Sequence, residues 1–543
     1  MPRRPARPAR VALAALAALA GLAVPACRAG LRGPPPERFV PARVQAALVL
    51  PAAGRAARGL AALQAMLAGF PGAGDAAELR GAVAAQLGFD PLDPEALDRA
   101  GFDPARGAAL ALLPGDARLL VLPVEDAPKV EALLARLARE RLGADQRTAA
   151  AHGPASVVTF RRTPSDPPAL SYAVVDRYAL VGAGVTGADA VGAAAEIPAG
   201  SSLSASAAWS DVRRALGDGD AAIAFRPPGA QGPNAAPALR DGAALGLSAA
   251  EARLSIRAAV LLGDRAASFE KLAGSGAGGK LAARLAPGSI LVGRWDGDPA
   301  ALGERLLPLV PAAEREHLAA RGLDLSRDVL AVLGPGVAGS ISLSPSFTVG
   351  GLSWPVLEAD SPRALEFELV GPAKPGIDEA VARWARFADP VRTPRPSADG
   401  VTRVPTPSGE IAWKVAGGRL ALAGGRPGRL EALLSRLDGK GEGWKTPAGG
   451  DGALAGGLGG AVLDVPALAA AVGALPMTAY GTGPSGYVVR SVVERFLEPA
   501  QRFASVTVRA ELAPGALVVA FEARTVAGQP GAATPARAPG TSP

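Results

Sequence analysis

The chain reads as an α+β protein of two tandem repeats, each a mainly antiparallel sheet with helices packed on one face. Three observations predict this class. Apolar and polar residues alternate over short runs such as 252–262, the period of a strand with one buried face. Between these runs lie stretches with apolar residues at helical spacing and capping residues at their starts. Two segments of the first half also recur, in order, in the second.

Gly101-Phe102-Asp103-Pro104-Ala105-Arg106, leading into 109–115, matches Gly322-Leu323-Asp324-Leu325-Ser326-Arg327, leading into 330–336, at an offset of 221. Residues 172–181 match 413–422 at an offset of 241. The larger offset implies an insertion in the second copy, placed in the Ser/Pro/Gly-rich stretch 344–361. Repeat one is expected over 41–273, a Gly-rich linker over 274–281 and repeat two over 282–527. The tail 528–543 has almost no large apolar side chain and is predicted to be disordered.

Each repeat opens with a strand, 46–50 and 290–295. Leu60, Leu63, Met66, Leu67 and Phe70 then predict a helix. Asp93 as N-cap, Pro94 in the first turn and Gly101 at the end bound the next one, and its counterpart near 312–321 stops at Gly322. Residues 110–113 and 119–124 form a hairpin around Pro114-Gly115-Asp116. Val130, Leu133, Leu134 and Leu137, capped by Asp126, predict a helix whose counterpart carries Ile377, Val381, Trp384 and Phe387. The 172–181 and 413–422 hairpins turn at Asp176-Arg177 and Gly417-Gly418. Strands at 222–225 and 252–262 close copy one; 461–465, 506–512 and 517–523 close copy two.

The N-terminus carries an address. Arg3, Arg4, Arg7 and Arg10 precede an apolar run over 11–24 and then Val24-Pro25-Ala26-Cys27, with Cys27 the single cysteine in 543 residues. The run is shorter than the roughly 20 apolar residues a spanning helix needs, so 1–26 is expected to be cleaved. The segment resembles a bacterial lipobox. That resemblance implies cleavage between Ala26 and Cys27, diacylglycerol on the cysteine sulfur and acylation of the new amino group. Arg28, rather than an acidic residue, implies an outer-membrane address facing the periplasm. Residues 27–40, with Pro34-Pro35-Pro36, are the expected tether.

Within the body, three stretches resemble an uncharacterised family of exported bacterial proteins, catalogued as domain of unknown function 3352. They are Leu87-Gly88-Phe89-Asp90-Pro91 through Gly101-Phe102-Asp103, the Tyr172 hairpin, and Ser202-Leu203-Ser204 with Trp209 before 220–225. The resemblance implies an envelope location and no assigned reaction.

Composition and motifs narrow the function classes. The formal charge of +7 falls to +3 once the four signal arginines are set aside, and no Lys/Arg stripe with interleaved aromatics occurs. A nucleic-acid partner is therefore not expected. Gly274-Ser275-Gly276-Ala277-Gly278-Gly279-Lys280 has a phosphate-loop skeleton, but Leu281 stands where the magnesium-binding hydroxyl belongs, so it reads as linker. Glu314 and His317 share a helical face, yet His152 is the only other histidine, so no metal is expected. No cofactor motif is recognised, and two histidines without a G-x-S-x-G elbow argue against nucleophilic catalysis.

Asp103 and Arg106, recurring as Asp324 and Arg327, are the charged pairs singled out. They mark either two equivalent ligand sites or two turns closed by an ion pair. The six tryptophans read as core. The function expected is a lipid-anchored envelope protein, a non-catalytic scaffold or interaction module, with the membrane met through Cys27 and an envelope protein as partner. The alternatives are a carrier or sensor of an apolar ligand held between helices and sheet, and an envelope hydrolase acting through carboxylates such as Asp103 and Asp324.

Overall fold

Strand register organises the chain. The computed structural model describes residues 33–90, 93–153, 155–217, 219, 222–229, 241–250, 252–270, 272, 277–307, 311–320, 322–344, 347, 365–388, 394–406, 409–481 and 483–526. The described residues up to Asp264, with Ala513–Val518, form unit one; Arg265–Leu512 and those from Val519 on form unit two. The fold is α+β with antiparallel pairing throughout.

Unit one contains β1 (Ala46–Leu50), β2 (Ala108–Leu112), β3 (Arg118–Pro123), β4 (Gln146–His152), β5 (Ala155–Arg161), β6 (Leu170–Val175), β7 (Tyr178–Ala183), β8 (Ala222–Arg226), β9 (Ala243–Ala250) and β10 (Arg253–Leu261). Across the sheet they run β4-β5-β6-β7-β3-β2-β1-β8-β9-β10.

The central strand β3, Arg-Leu-Leu-Val-Leu-Pro, is apolar at both parities, and this demands cover on both faces. Leu119 and Val121 join a core with Phe39, Tyr178, Trp209 and Val212. Leu120 and Leu122 join another with Val130, Leu133 and Leu134 of helix Ala127–Leu142. Each such side chain contributes about 1.5–3 kcal/mol.

Helices thus cover the second face as expected, and Gly184–Ala195 and Ala207–Leu216 cover the first as well. The one-face expectation is corrected by helix 184–195, whose Ala and Gly residues present no contrasting apolar stripe. Its contact is close: a Cβ on Gly182 would stand 2.3 Å from the Gly187 carbonyl oxygen. Only glycine fits there.

Local signals held where capping chemistry set them. Asp93 accepts from the Glu95 N–H at 3.0 Å, Asp126 accepts from the Lys129 N–H at 3.2 Å, and Gly101 ends its helix at φ 93°. Helix Ala53–Leu67 differs from expectation: it buries Ala53, Ala56, Ala57 and Met66, Leu67 is exposed, and Phe70 lies beyond its end. Small residues let this helix sit close, so its inner face is not the leucine stripe.

Unit two contains β11 (Leu291–Trp295), β12 (Val337–Leu343), β13 (Leu365–Pro372), β14 (Arg395–Pro396), β15 (Val401–Thr406), β16 (Gly409–Ala416), β17 (Arg419–Gly425), β18 (Gly459–Asp464) and, apart from residues 513–518, β19 (Phe503–Ala513) and β20 (Ala516–Thr525). Their order is β14-β15-β16-β17-β13-β12-β11-β18-β19-β20, position for position that of unit one. Two cores again flank the sheet, one containing Ala421, Ala423, Leu430 and Leu433, the other Leu420, Leu422, Ile377 and Val381.

Hydrogen bonds fix the correspondence between the units. The Pro123 carbonyl accepts from the Asp103 N–H at 3.1 Å, and the Val124 N–H donates to the Arg177 carbonyl. In unit two the Pro372 carbonyl accepts from Gly334 at 2.9 Å, and Ala373 donates to the Gly418 carbonyl. Likewise Tyr172 faces Val181 as Trp413 faces Leu422, which agrees with the 241 offset. The 221 offset is corrected. Residues 108–112 are β2, whereas their offset partners 329–333 are the end of one π-helical turn (326–330) and the turn after it, and β12 begins only at Val337. The two stretches share an apolar-Pro-Gly vocabulary without sharing a place in the fold.

The expected linker is also corrected in part. From Gly278 the chain is helix Gly278–Ala282, and the buried Gly278 N–H donates to Asp296 Oδ1 at 2.7 Å. A Cβ at Gly278 would lie 2.8 Å from that oxygen, so its glycine serves close approach rather than flexibility. Residues 273–276, most of the expected insertion 344–361 and the tail from 527 lie outside the described residues.

Candidate functional site

Asp103 and Arg106 are both buried, 4 and 8 % exposed, where the chain leaves helix Pro94–Arg99 for β2. Asp103 Oδ1 accepts the Ala105 N–H at 3.0 Å, closing a tight turn, and Oδ2 lies 3.2 Å from Arg106 Nε. The Arg106 guanidinium then reaches to 6.0 Å from the centre of the Tyr178 ring. Burial pushes the Tyr178 hydroxyl up to about 12, with Arg106 pulling it back. Glu37, 4 % exposed, is raised above its ordinary value by burial, against the opposing pull of Arg213 at 3.7 Å. An open groove of about 610 Å³ runs beside Glu37, Trp209 and Arg213.

Asp324 and Arg327 occupy a different kind of place. Asp324 Oδ1 accepts the Arg327 N–H at 2.9 Å on an exposed turn. The Arg327 side chain turns away to the neighbouring Asp328, with Nε and Nη2 at 2.8 and 2.9 Å from its two oxygens. Asp328 is the fully buried acid here. It also accepts from Arg383 Nε at 2.9 Å and from the Asp324 N–H at 2.8 Å. The Arg327 hydrogen bonds lead in holding its carboxyl down to about 2, with burial opposing. By strand order Asp103 corresponds to Gly334, not to Asp324. The two pairs are therefore not repeat-equivalent, and the reading of two matching ligand sites is corrected.

The largest buried charge cluster was missed. Glu366 and Glu368, each 2 % exposed, lie on one face of β13. Arg436 Nη2 bonds both Glu368 oxygens at 2.7 and 2.8 Å, and the Ala286 N–H donates to Oε2 at 2.8 Å. Arg429 bridges the two glutamates, and Arg426 Nε holds Glu366 Oε1 at 2.6 Å. The signal was present: Leu-Glu-Phe-Glu-Leu puts two acids on one strand face, and Arg429 and Arg436, seven apart, share one face of helix Arg429–Leu437.

His152 lies 3.7 Å from Glu196 and His317 is exposed on helix Ala312–Ala320; the Glu314 side chain is outside the described residues. Among the described residues no group of three or more His, Cys, Asp or Glu is placed to hold a metal. Trp209, Trp413 and Trp444 are buried core residues, and Trp354 is outside the described set. So are Ala26 and Cys27, and no described helix is long and apolar enough to cross a membrane.

No family model matches the chain, and no curated protein matches it either. Among solved structures, crystal forms I and IV of TP0453 align with TM-scores of 0.23 and 0.24, each at 9 % identity. They cover 43 and 45 % of this chain and 81 and 86 % of theirs.

Proposed function

We propose that the chain is a lipid-anchored protein of the bacterial cell envelope, held at a membrane through Cys27, whose α+β body is a non-catalytic scaffold or interaction module. The observation that carries the non-catalytic part is the pairing of buried carboxylates with guanidinium groups. Asp103 meets Arg106, Asp296 meets Arg294, Asp328 meets Arg327 and Arg383, and Glu366 and Glu368 meet three arginines. A general acid or base must instead face the reacting proton within hydrogen-bond reach. The scaffold is favoured over the apolar carrier by the filling above the Ala-rich strands. Ala47, Ala109 and Ala111 lie under Phe39, Tyr178 and Trp209 in one packed cluster.

The membrane part rests on the lipobox-like run ending in Cys27. Acylation would contribute about 0.8 kcal/mol per buried methylene, and two or more chains give stable anchoring. Metabolic labelling with a fatty-acid analogue tests it: label is expected on the intact protein and none on Cys27→Ala, which should leave the membrane fraction. Label retained by Cys27→Ala would overturn the anchor.

A further inference from the structure

Helix Pro484–Ala500 in unit two presents an apolar face that the rest of the described residues leave open. Its inner side is settled: Gly486 is buried, Val493 packs with Leu475, Ala479 and Tyr480, and Arg490 lies 5.9 Å from the Tyr480 ring centre, while in the last turn the buried Pro499 ends the open face. Outside that contact Val488, Val492 and Phe496 follow one another at four-residue steps, 64, 49 and 49 % exposed, with Val489 beside them. Single exposed apolar side chains are ordinary on a protein surface. A continuous stripe of them is a mark of a binding face.

The charges on this helix say what the face meets. At about 100° per residue, Arg495 falls about 20° from Val488, on the border of the apolar stripe, while Glu494 and Glu498 fall about 120° and 80° from Val488 on that side and about 160° from Phe496. The cation therefore edges the apolar face and both carboxylates lie outside it, farther round the helix than Arg495. This suits a surface that is apolar within and anionic at its rim, where an arginine stem lies along hydrocarbon and its head reaches phosphate. The helix is also too short to cross: 17 residues rise about 26 Å against a hydrocarbon core of about 30 Å, and it carries Arg490, Glu494, Arg495 and Glu498.

We propose that helix Pro484–Ala500 is a second, non-covalent membrane contact, with Val488, Val492 and Phe496 entering the acyl boundary of a bilayer and Arg495 at the level of anionic lipid phosphate. The proposal deepens the membrane address given above and rests on it for the surface the helix meets. Its test leaves the anchor out. The full chain lacking 1–26 and carrying Cys27→Ala is floated with vesicles of phosphatidylethanolamine and phosphatidylglycerol, and separately with phosphatidylcholine.

The expected result is flotation with the anionic vesicles, reduced on the order of tenfold by Val492→Asp or Phe496→Asp and more weakly by Arg495→Gln. Melting temperature should be unchanged in these variants, because the side chains are exposed, and Val488→Asp serves as a second probe of the same stripe. No flotation, or flotation indifferent to Val492→Asp and Phe496→Asp, overturns the proposal. So does concentration-dependent dimerisation that these substitutions abolish without vesicle binding, since the face would then belong to a second copy. Lipid labelling of wild-type Cys27 is read independently, so failure of the anchor and failure of the helix remain distinguishable.

Discussion

Units one and two run ten strands in the same order, yet they fill one position at the centre of the sheet in opposite ways. Leu119 of β3 faces Gly182 and Ala111; Glu368 of β13, at the corresponding position, faces Ala423 and Ser340. Leu119 is fully buried in an apolar core. Glu368 is equally buried but held by Arg436, Arg429 and the Ala286 N–H. One backbone thus accepts either solution, provided that the polar one is completed from neighbouring elements. The difference lies in tolerance to change: an apolar position forgives a missing partner, and a buried charge does not.

Moving a charge to the wrong unit gives the largest expected effect. Leu119→Glu loses the leucine packing and leaves a carboxylate among Phe39, Tyr178 and Val121, so a loss on the order of 5 kcal/mol or more is expected. Arg436→Ala in unit two should cost about 3–5 kcal/mol, because Glu368 keeps its charge and loses its two shortest arginine bonds. Removing the pair, as Glu368→Leu with Arg436→Leu, should recover part of that loss and leave a deficit of about 1–3 kcal/mol, because the buried Ala286 N–H loses its acceptor. Denaturant unfolding, with hydrogen exchange assigning each loss to its unit, reads all three. A double variant as unstable as Arg436→Ala would refute the comparison.

What could be read from the sequence divides along the same line. Residues whose role depends on their neighbours in the chain were legible: the Asp93 and Asp126 caps, the Gly101 terminus and the Asp176-Arg177 turn. Helix Gly184–Ala195 was not, because its packing relies on Gly182 and Gly187 permitting contact and so lacks large apolar side chains. The ion clusters were not either, since Glu368 and Arg436 meet across 68 residues. Asp103 with Arg106 was legible as a pair because its contact spans three residues. Its match to Asp324 failed because similar turn composition at one offset does not imply the same strand partners.

Acid should also separate the two units. Burial raises Glu37 above 4.5, so folded unit one holds that proton to higher pH than the unfolded chain does. Its contribution is fully present below the unfolded value and declines as pH rises through the folded one. Asp328 works in reverse: lowered from 3.8 to about 2, it stabilises unit two above 3.8 and that contribution is lost as pH falls towards about 2. Asp328→Asn should therefore cost about 2 kcal/mol at pH 7, with the deficit shrinking in acid. Glu37→Gln should flatten the decline of unit one as pH rises above about 4.5. Thermal unfolding from about pH 2 to 7 checks both, and parallel pH profiles for wild type and both variants would contradict the assignment.

The smallest effect tests a difference at a strand end. Leu48 faces Ala224 in unit one and Gly293 faces Ala461 in unit two, so Pro227 and Asp464 stand at corresponding places just beyond those pairs. Asp464 accepts the Ala467 N–H at 2.9 Å and caps helix Val465–Gly473, with Pro466 in the first turn. Proline at 227 has no side-chain acceptor to do the same. Asp464→Ala should cost about 1 kcal/mol, the usual loss of an N-cap. Because the effect is confined to the first turn, the Ala467 amide should exchange faster while those of β18 stay protected. Unchanged exchange at Ala467 would mean that packing of Val465, 3 % exposed, holds the helix start without the cap.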